Sequence, residues 1–258
     1  TRRGNPTVHR GVEKLHRESG YLGDPEFFGT SVAILVGDLA LVYAEDMFQD
    51  SGLSAAALHR ARSAWRGMRT EVIGGQLLDI SLEAAGSESV ALANSVNRYK
   101  TAAYTIEHPL HLGASIAGAS EELIAAFRGY GQDIGIAYQL RDDQLGVFGD
   151  PAVTGKPAGD DLREGKRTEL LALALRRADE SDPQAAATLR KLIGHTSDPQ
   201  ELSRLAQIIA DSGAPEEIER RIASLTQSGL QHLRAARVDP AVTKTLEQLA
   251  IKATARHK

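Results

Sequence analysis

The chain has 258 residues with 34 Asp and Glu against 30 Lys and Arg, a formal net charge of -4 that argues against a broad nucleic-acid surface while leaving room for local cationic pockets. It contains no Cys, which excludes disulfides and thiol catalysis and fits a reducing cytoplasm. Its 42% hydrophobic content can supply the core of one large domain or two small ones.

In chain order, the first strong element is a helix over about 29–48. Its most apolar part, residues 32–44, is short for a membrane span and carries Asp38, so it reads as a core helix rather than a transmembrane segment, and the sequence does not separate a core from an interface. Gly29, Ala33, Gly37, Ala40 and Ala44 give it small residues for close packing, and Asp38 needs a partner if buried. A long helix over about 55–84 follows, with Gly74-Gly75 either weakening it or admitting another backbone. Gln76 and Asp79 are three apart on it and share a face. Helices over about 88–107, 121–147 and 168–178 come next, then 185–193, 200–211, 216–236 and a last one from about 240 to 253, separated by Asp-Pro and Gly-containing breaks. Nothing alternates like an amphipathic strand and no repeat period stands out. The expected fold is all-α, a single-domain helical bundle around a central cavity spanning 1–258.

The chemistry concentrates in Gln139-Leu-Arg-Asp-Asp-Gln-Leu-Gly-Val-Phe-Gly-Asp150 and the following Gly155-Lys156 and Gly159-Asp-Asp-Leu-Arg-Glu-Gly-Lys-Arg-Thr168. Asp142 and Asp143 sit toward the C-terminal end of an apolar helix, where the macrodipole opposes negative charge. Gln139 lies one turn before Asp143 on the same face. Magnesium joins one or two carboxylates to phosphate oxygens, and Lys156, Lys166 and Arg167 return the positive charge that a diphosphate requires. The plainer reading is of solvated acids paired with Arg141 or Lys156. His108 and His111, either side of Pro109, read as helix-end or core histidines rather than zinc ligands.

This segment resembles the second aspartate-rich region of the trans-isoprenyl diphosphate synthases, the polyprenyl synthetase family, in the form seen in bacterial geranylgeranyl or polyprenyl diphosphate synthases. Many members carry a third Asp where this chain has Gly146. Thr1-Arg-Arg-Gly-Asn-Pro-Thr-Val-His9 is similar to the stretch after the family's first aspartate-rich motif, so the chain reads as lacking N-terminal helices and that motif. Gln76 and Asp79 resemble the family's Gly-Gln-x-x-Asp element, and Lys100-Thr101 its allylic-diphosphate contact.

The resemblance implies a fold of the isoprenoid synthase type and a prenyltransferase that condenses an allylic prenyl diphosphate with isopentenyl diphosphate into an all-trans polyprenyl diphosphate, with geranylgeranyl diphosphate as the leading product. It assigns Mg2+ to Asp142 and Asp143. Arg2, Lys100, Thr101, Gln139, Lys156 and Lys166 would hold the allylic diphosphate and Arg3 the isopentenyl diphosphate, while Gln76, Asp79 and Lys100 join the two acids in the reacting cavity. It further implies a cytoplasmic homodimer. Without the first motif the fragment is expected to have poor activity. The alternatives are a non-catalytic subunit that modulates an active synthase and, less favoured, a terpene cyclase.

Overall fold

A computed structural model describes residues 4–151 and 159–255, and in that part the fold is all-α as expected. It divides into two compact units, 1–58 and 59–258.

In the first unit α1 (Val8–Glu18) packs on α2 (Pro25–Gln49). Asp24 caps α2, its side chain accepting from the backbone N–H groups of Glu26 (2.7 Å) and Phe27 (3.0 Å), and Pro25 supplies a fixed φ in the first turn. A methyl group on Gly29 would fall 2.4 Å from the carbonyl oxygen of His9, so this glycine sets the crossing of the pair. Gly37 has open space around it and plays no such part. The sequence left α2 as a core or an interface helix. It is a 25-residue helix, long and apolar enough by length and composition to cross a membrane. Its own unit does not bury it as a core helix: Leu35 and Met47 are 65% and 75% exposed and Asp38 is exposed as well. A helix apolar all round has more surface than α1 alone can cover.

The second unit is organised by α6 (Glu121–Phe148), which starts at a Ser120 cap and is buried on several sides along its length. It packs most extensively on α11 (Ala214–Ala235) and on a π-helix, Asn97–Glu107, set between α4 (Val90–Val96) and α5 (His108–Ala117). The sequence patterning had suggested one helix ending at 107. Instead the chain continues helically to Ala117 through a widened stretch. Pro109 accounts for the widening physically: it has no N–H to give, and its ring crowds the carbonyl four residues back.

Two glycine faces hold the π-helix. A Cβ on Gly135 of α6 would lie 2.5 Å from Ala102 Cα, and one on Gly75 of α3 (Ala55–Ala85) would lie 2.5 Å from the Lys100 backbone nitrogen. Buried Glu107 pins the far end of the π-helix between Arg98 and Arg128, the latter donating at 3.0 Å. Beyond α6 the core is completed by α7 (Asp160–Glu164), α8 (Glu169–Ser181), α9 (Pro183–Leu192), α10 (Pro199–Asp211) and α11, through Leu170, Leu175, Leu189, Leu205, Ile209 and Ile218. Each such side chain, almost fully buried, contributes roughly 1.5–3 kcal/mol. The last helix, α12 (Pro240–Thr254), docks on α6 where the Tyr130 hydroxyl donates to the Leu246 carbonyl at 2.8 Å.

The neighbouring glycines of α3 give a direct test of this packing. Gly75→Ala is expected to cost about 1–3 kcal/mol in urea unfolding, because its methyl meets backbone rather than a flexible side chain. Gly74→Ala, with nothing within 4 Å, should be neutral or stabilising by up to about 1 kcal/mol. Equal losses at both positions would contradict the close approach of the π-helix.

Candidate functional site

The elements around the π-helix enclose a cleft in the second unit. From α3 comes Asp79, from the π-helix Asn97, Lys100 and Thr101, from α6 Gln139 and Asp143, and from the turn before α8 Lys166, Arg167 and Thr168. The approach at Gly75 places the next turn of α3 against the π-helix, where Asp79 forms an ion pair with Lys100. On the opposite side the Thr101 hydroxyl donates to Gln139 Oε1 at 2.8 Å, and Gln139 Nε2 donates to Asp143 Oδ1 at 2.7 Å. The same-face relation of Gln139 and Asp143 expected from their spacing is therefore a hydrogen bond.

Asp143 is the strained member of this group. Its Oδ2 is buried and makes no hydrogen bond among the described residues. Burial pushes its carboxyl up to about 8, helped by Asp161 and Asp142 and opposed by the Gln139 hydrogen bond and Lys166. Lys166 binds Asp161 at 2.6 Å and lies 3.7 Å from Glu164. Burial pulls its ammonium down, but Asp161, Glu164 and Asp143 outweigh that and hold it above the usual lysine range. Glu83, one turn beyond Asp79, is pushed above the usual carboxylate range by burial and by Asp79, with Lys100 and Lys166 opposing.

Gly146 has a specific steric reason here. A Cβ at that position would fall 2.0 Å from Asp161 Oδ2. The carboxylate of α7 occupies the space that a side chain at 146 would take. Sequence reasoning missed Asp161 as a participant, although it stands in the Gly159–Thr168 stretch; its contact with α6 is tertiary, and local patterning does not encode it.

Among the other expected residues, Asp79, Lys100, Thr101, Gln139, Asp143 and Lys166 converge on the cleft. Asp142, next to Asp143, is partly exposed. Gln76 is exposed and is not among the residues lining the cleft, although its spacing put it on the Asp79 face. Arg2, Arg3 and Lys156 lie outside the described residues. Arg141, the sequence-level candidate for neutralising Asp142 and Asp143, is committed elsewhere: it donates to Glu219 Oε2 (2.7 Å), Gln144 (2.7 Å) and the Thr254 carbonyl (2.8 Å). His108 is buried against Glu71 at 3.0 Å, and His111 beside it is held below the usual imidazole range by burial and then by Arg128. Arg167, whose charge the sequence already groups with that of Lys166, lines the cleft as well, and Asn97 and Thr168 are lining residues that were not singled out from the sequence.

Among the described residues no group of three or more His, Asp or Glu side chains forms a complete metal site. The donor set nevertheless fits magnesium, which takes one or two protein carboxylates and fills its remaining positions with phosphate oxygens and water. An unpartnered, buried carboxylate oxygen beside further acids supplies such a ligand.

These features define a class: an all-α protein with buried acids and cations facing one another across a cleft between helices. The chain belongs to the polyprenyl synthetase family, whose profile matches residues 1–211. It is 37% identical over 174 residues to a geranylfarnesyl diphosphate synthase of Aeropyrum pernix, a match covering 66% of this chain and 52% of that protein. It is 33% identical over 190 residues to a geranylgeranyl diphosphate synthase of Mycobacterium tuberculosis, covering 72% and 48%. The chain thus spans about half the length of these relatives. Among solved structures it is similar to a geranylgeranyl pyrophosphate synthase from Corynebacterium glutamicum complexed with isoprenyl diphosphate and magnesium, with 63% identity and a TM-score of 0.93 over 100% of this chain and 72% of that one.

The raised Asp143 carboxyl makes stability depend on pH in a defined direction. Between the ordinary Asp range near 4 and the folded value of about 8, the folded state holds a proton that the unfolded chain has released, so this group's contribution falls as pH rises through that window. Asp143→Asn is expected to flatten that decline and raise metal-free stability at pH 8 by on the order of 1–3 kcal/mol. Thermal melts in a chelator at several pH values check it. Parallel curves for the two proteins would contradict a buried, neutral Asp143.

Proposed function

We propose that the full protein is a trans-prenyltransferase that condenses an allylic prenyl diphosphate with isopentenyl diphosphate, with geranylgeranyl diphosphate as its product. The observation that carries this reading is the hydrogen-bonded series Thr101–Gln139–Asp143, ending in an unpartnered carboxylate oxygen beside Lys166. Membership of the family and the 63% identity to a geranylgeranyl pyrophosphate synthase support the reaction and product. The family profile runs across the boundary at residue 58, which supports assigning both units to one synthase domain.

Asp142 and Asp143 would hold magnesium, which supplies positive charge to the departing diphosphate. Gln139 fixes the Asp143 carboxylate through Oδ1 and leaves Oδ2 available. Lys100, Thr101 and Lys166 line the place for the allylic diphosphate, with Arg2 and Lys156 assigned to the same group and Arg3 to isopentenyl diphosphate by resemblance. Lys100 and Lys166 are preset by Asp79 and Asp161, so phosphate oxygens would replace carboxylates already in position rather than order free side chains. As negative charge develops on the leaving group, these cations stabilise it in a water-poor cleft. The double bond of isopentenyl diphosphate attacks the allylic carbon as its bond to the diphosphate oxygen breaks, and loss of a proton to the released diphosphate completes a chain five carbons longer. Asp79 holds Lys100 in place.

The exposed apolar surface of α2 supports a homodimer that covers it, and the absence of Cys fits a cytoplasmic setting.

Incubating the full-length protein with magnesium, labelled isopentenyl diphosphate and allylic starters of several lengths is expected to give elongated products. Asp142→Ala should lower kcat by about 10²–10³-fold. Failure to elongate any starter would instead favour the non-catalytic subunit.

A further inference from the structure

We propose that Arg167 is the docking cation of the cleft, the residue that first engages an incoming diphosphate before the lysines are released from their carboxylates. This rests on the prenyltransferase reading of the same site.

Three described cations line the cleft. Lys100 is held by Asp79, and Lys166 by Asp161 with Glu164 nearby. Either lysine must give up a carboxylate to take a phosphate oxygen. Arg167 differs: among the described residues it forms no ion pair with a carboxylate, and its buried Nε makes no hydrogen bond. Glu88 senses its charge, but both Glu88 oxygens are taken by Arg190, at 2.8 and 2.7 Å.

The backbone leaves this guanidinium its position. It lies beside Gly86 in the turn after α3, where a Cβ would be 3.6 Å from Nη2. A buried donor without a partner carries a desolvation cost that an anion would relieve. The planar fork of a guanidinium matches phosphate oxygens in pairs, unlike the point charge of a lysine. Arg167 lines the same cleft as Lys100 and Lys166. The ligand class is that of the proposed reaction, a diphosphate, and its first contact requires no metal.

The test is calorimetric titration of the full-length protein with inorganic pyrophosphate and with orthophosphate in a chelator, repeated with magnesium. Wild type is expected to bind pyrophosphate more tightly than orthophosphate without metal. Arg167→Gln should weaken metal-free pyrophosphate binding about tenfold, with Arg167→Lys between them. In turnover with magnesium, Arg167→Gln should raise KM for the allylic starter more than it lowers kcat. Circular dichroism melts establish that each variant is folded, and if the Gln variant is not, the Lys variant carries the comparison. Unchanged pyrophosphate affinity in a folded Arg167 variant, with elongated product still formed, overturns the docking role and leaves the prenyltransferase reading standing. If wild type binds no pyrophosphate with or without magnesium and elongates no starter, both fall.

Discussion

The second unit depends on the close approach of three backbones. The π-helix lies against Gly75 of α3 and against Gly131 and Gly135 of α6, with a Cβ at any of these positions falling 2.4–2.5 Å from the π-helix backbone. Without side chains at those contacts, Asp79, Lys100, Thr101, Gln139 and Asp143 come within reach of one another although they span more than sixty residues of sequence. Successive positions on a helix point in different directions, so Lys100 and Thr101 address different neighbours, Asp79 on one side and Gln139 on the other. Packing of this kind is stiff because interiors are close-packed and adjust poorly to added volume. The cleft inherits its geometry from backbone contact rather than from mobile side chains.

Electrostatically the cleft consists of charges prepared for exchange. Lys100 and Lys166 are satisfied by acids, and Asp143 is kept in its neutral form by burial and by neighbouring Asp161 and Asp142. In the proposed reaction phosphate–lysine pairs would replace carboxylate–lysine pairs, and the raised Asp143 would serve as a ligand to magnesium. Metal binding and proton release are coupled in such a site, because the ligand must be deprotonated. Asp161 serves twice in this arrangement: it presets Lys166 and fills the space beside Gly146.

The first unit follows a different logic. Its longer helix is apolar on every side, and α1 leaves much of that surface uncovered. Membership of the family rests on a profile match that includes this unit, yet the cleft residues described above all belong to the second. The sequence left α2 open between a core and an interface, because hydrophobicity reports what a surface avoids without specifying what covers it. Gly29 succeeded as a packing position and Gly37 did not, since small size permits a close approach but does not supply the opposing chain.

The sequence by itself determined whatever depends on local spacing and termini. Asp24, Ser120, Thr168, Asp182, Asp198 and Asp239 each cap the helix that follows, so most boundaries could be read to within a few residues. The four-residue step from Gln139 to Asp143 fixed their common face, and the ordered motifs fixed the family. Only tertiary structure decided which charges meet. Arg141 adjoins Asp142 in sequence yet turns to Glu219, while Asp161 returns from the next helix to stand against Gly146. It also decided that Gln76 stays outside the cleft, that residues 97–107 widen into a π-helix, and that Arg167 faces the cleft without a carboxylate among the described residues. The physical reason is common to these cases: periodicity sets a side chain's direction on its own helix, but its partner is chosen by backbones that approach from distant parts of the chain.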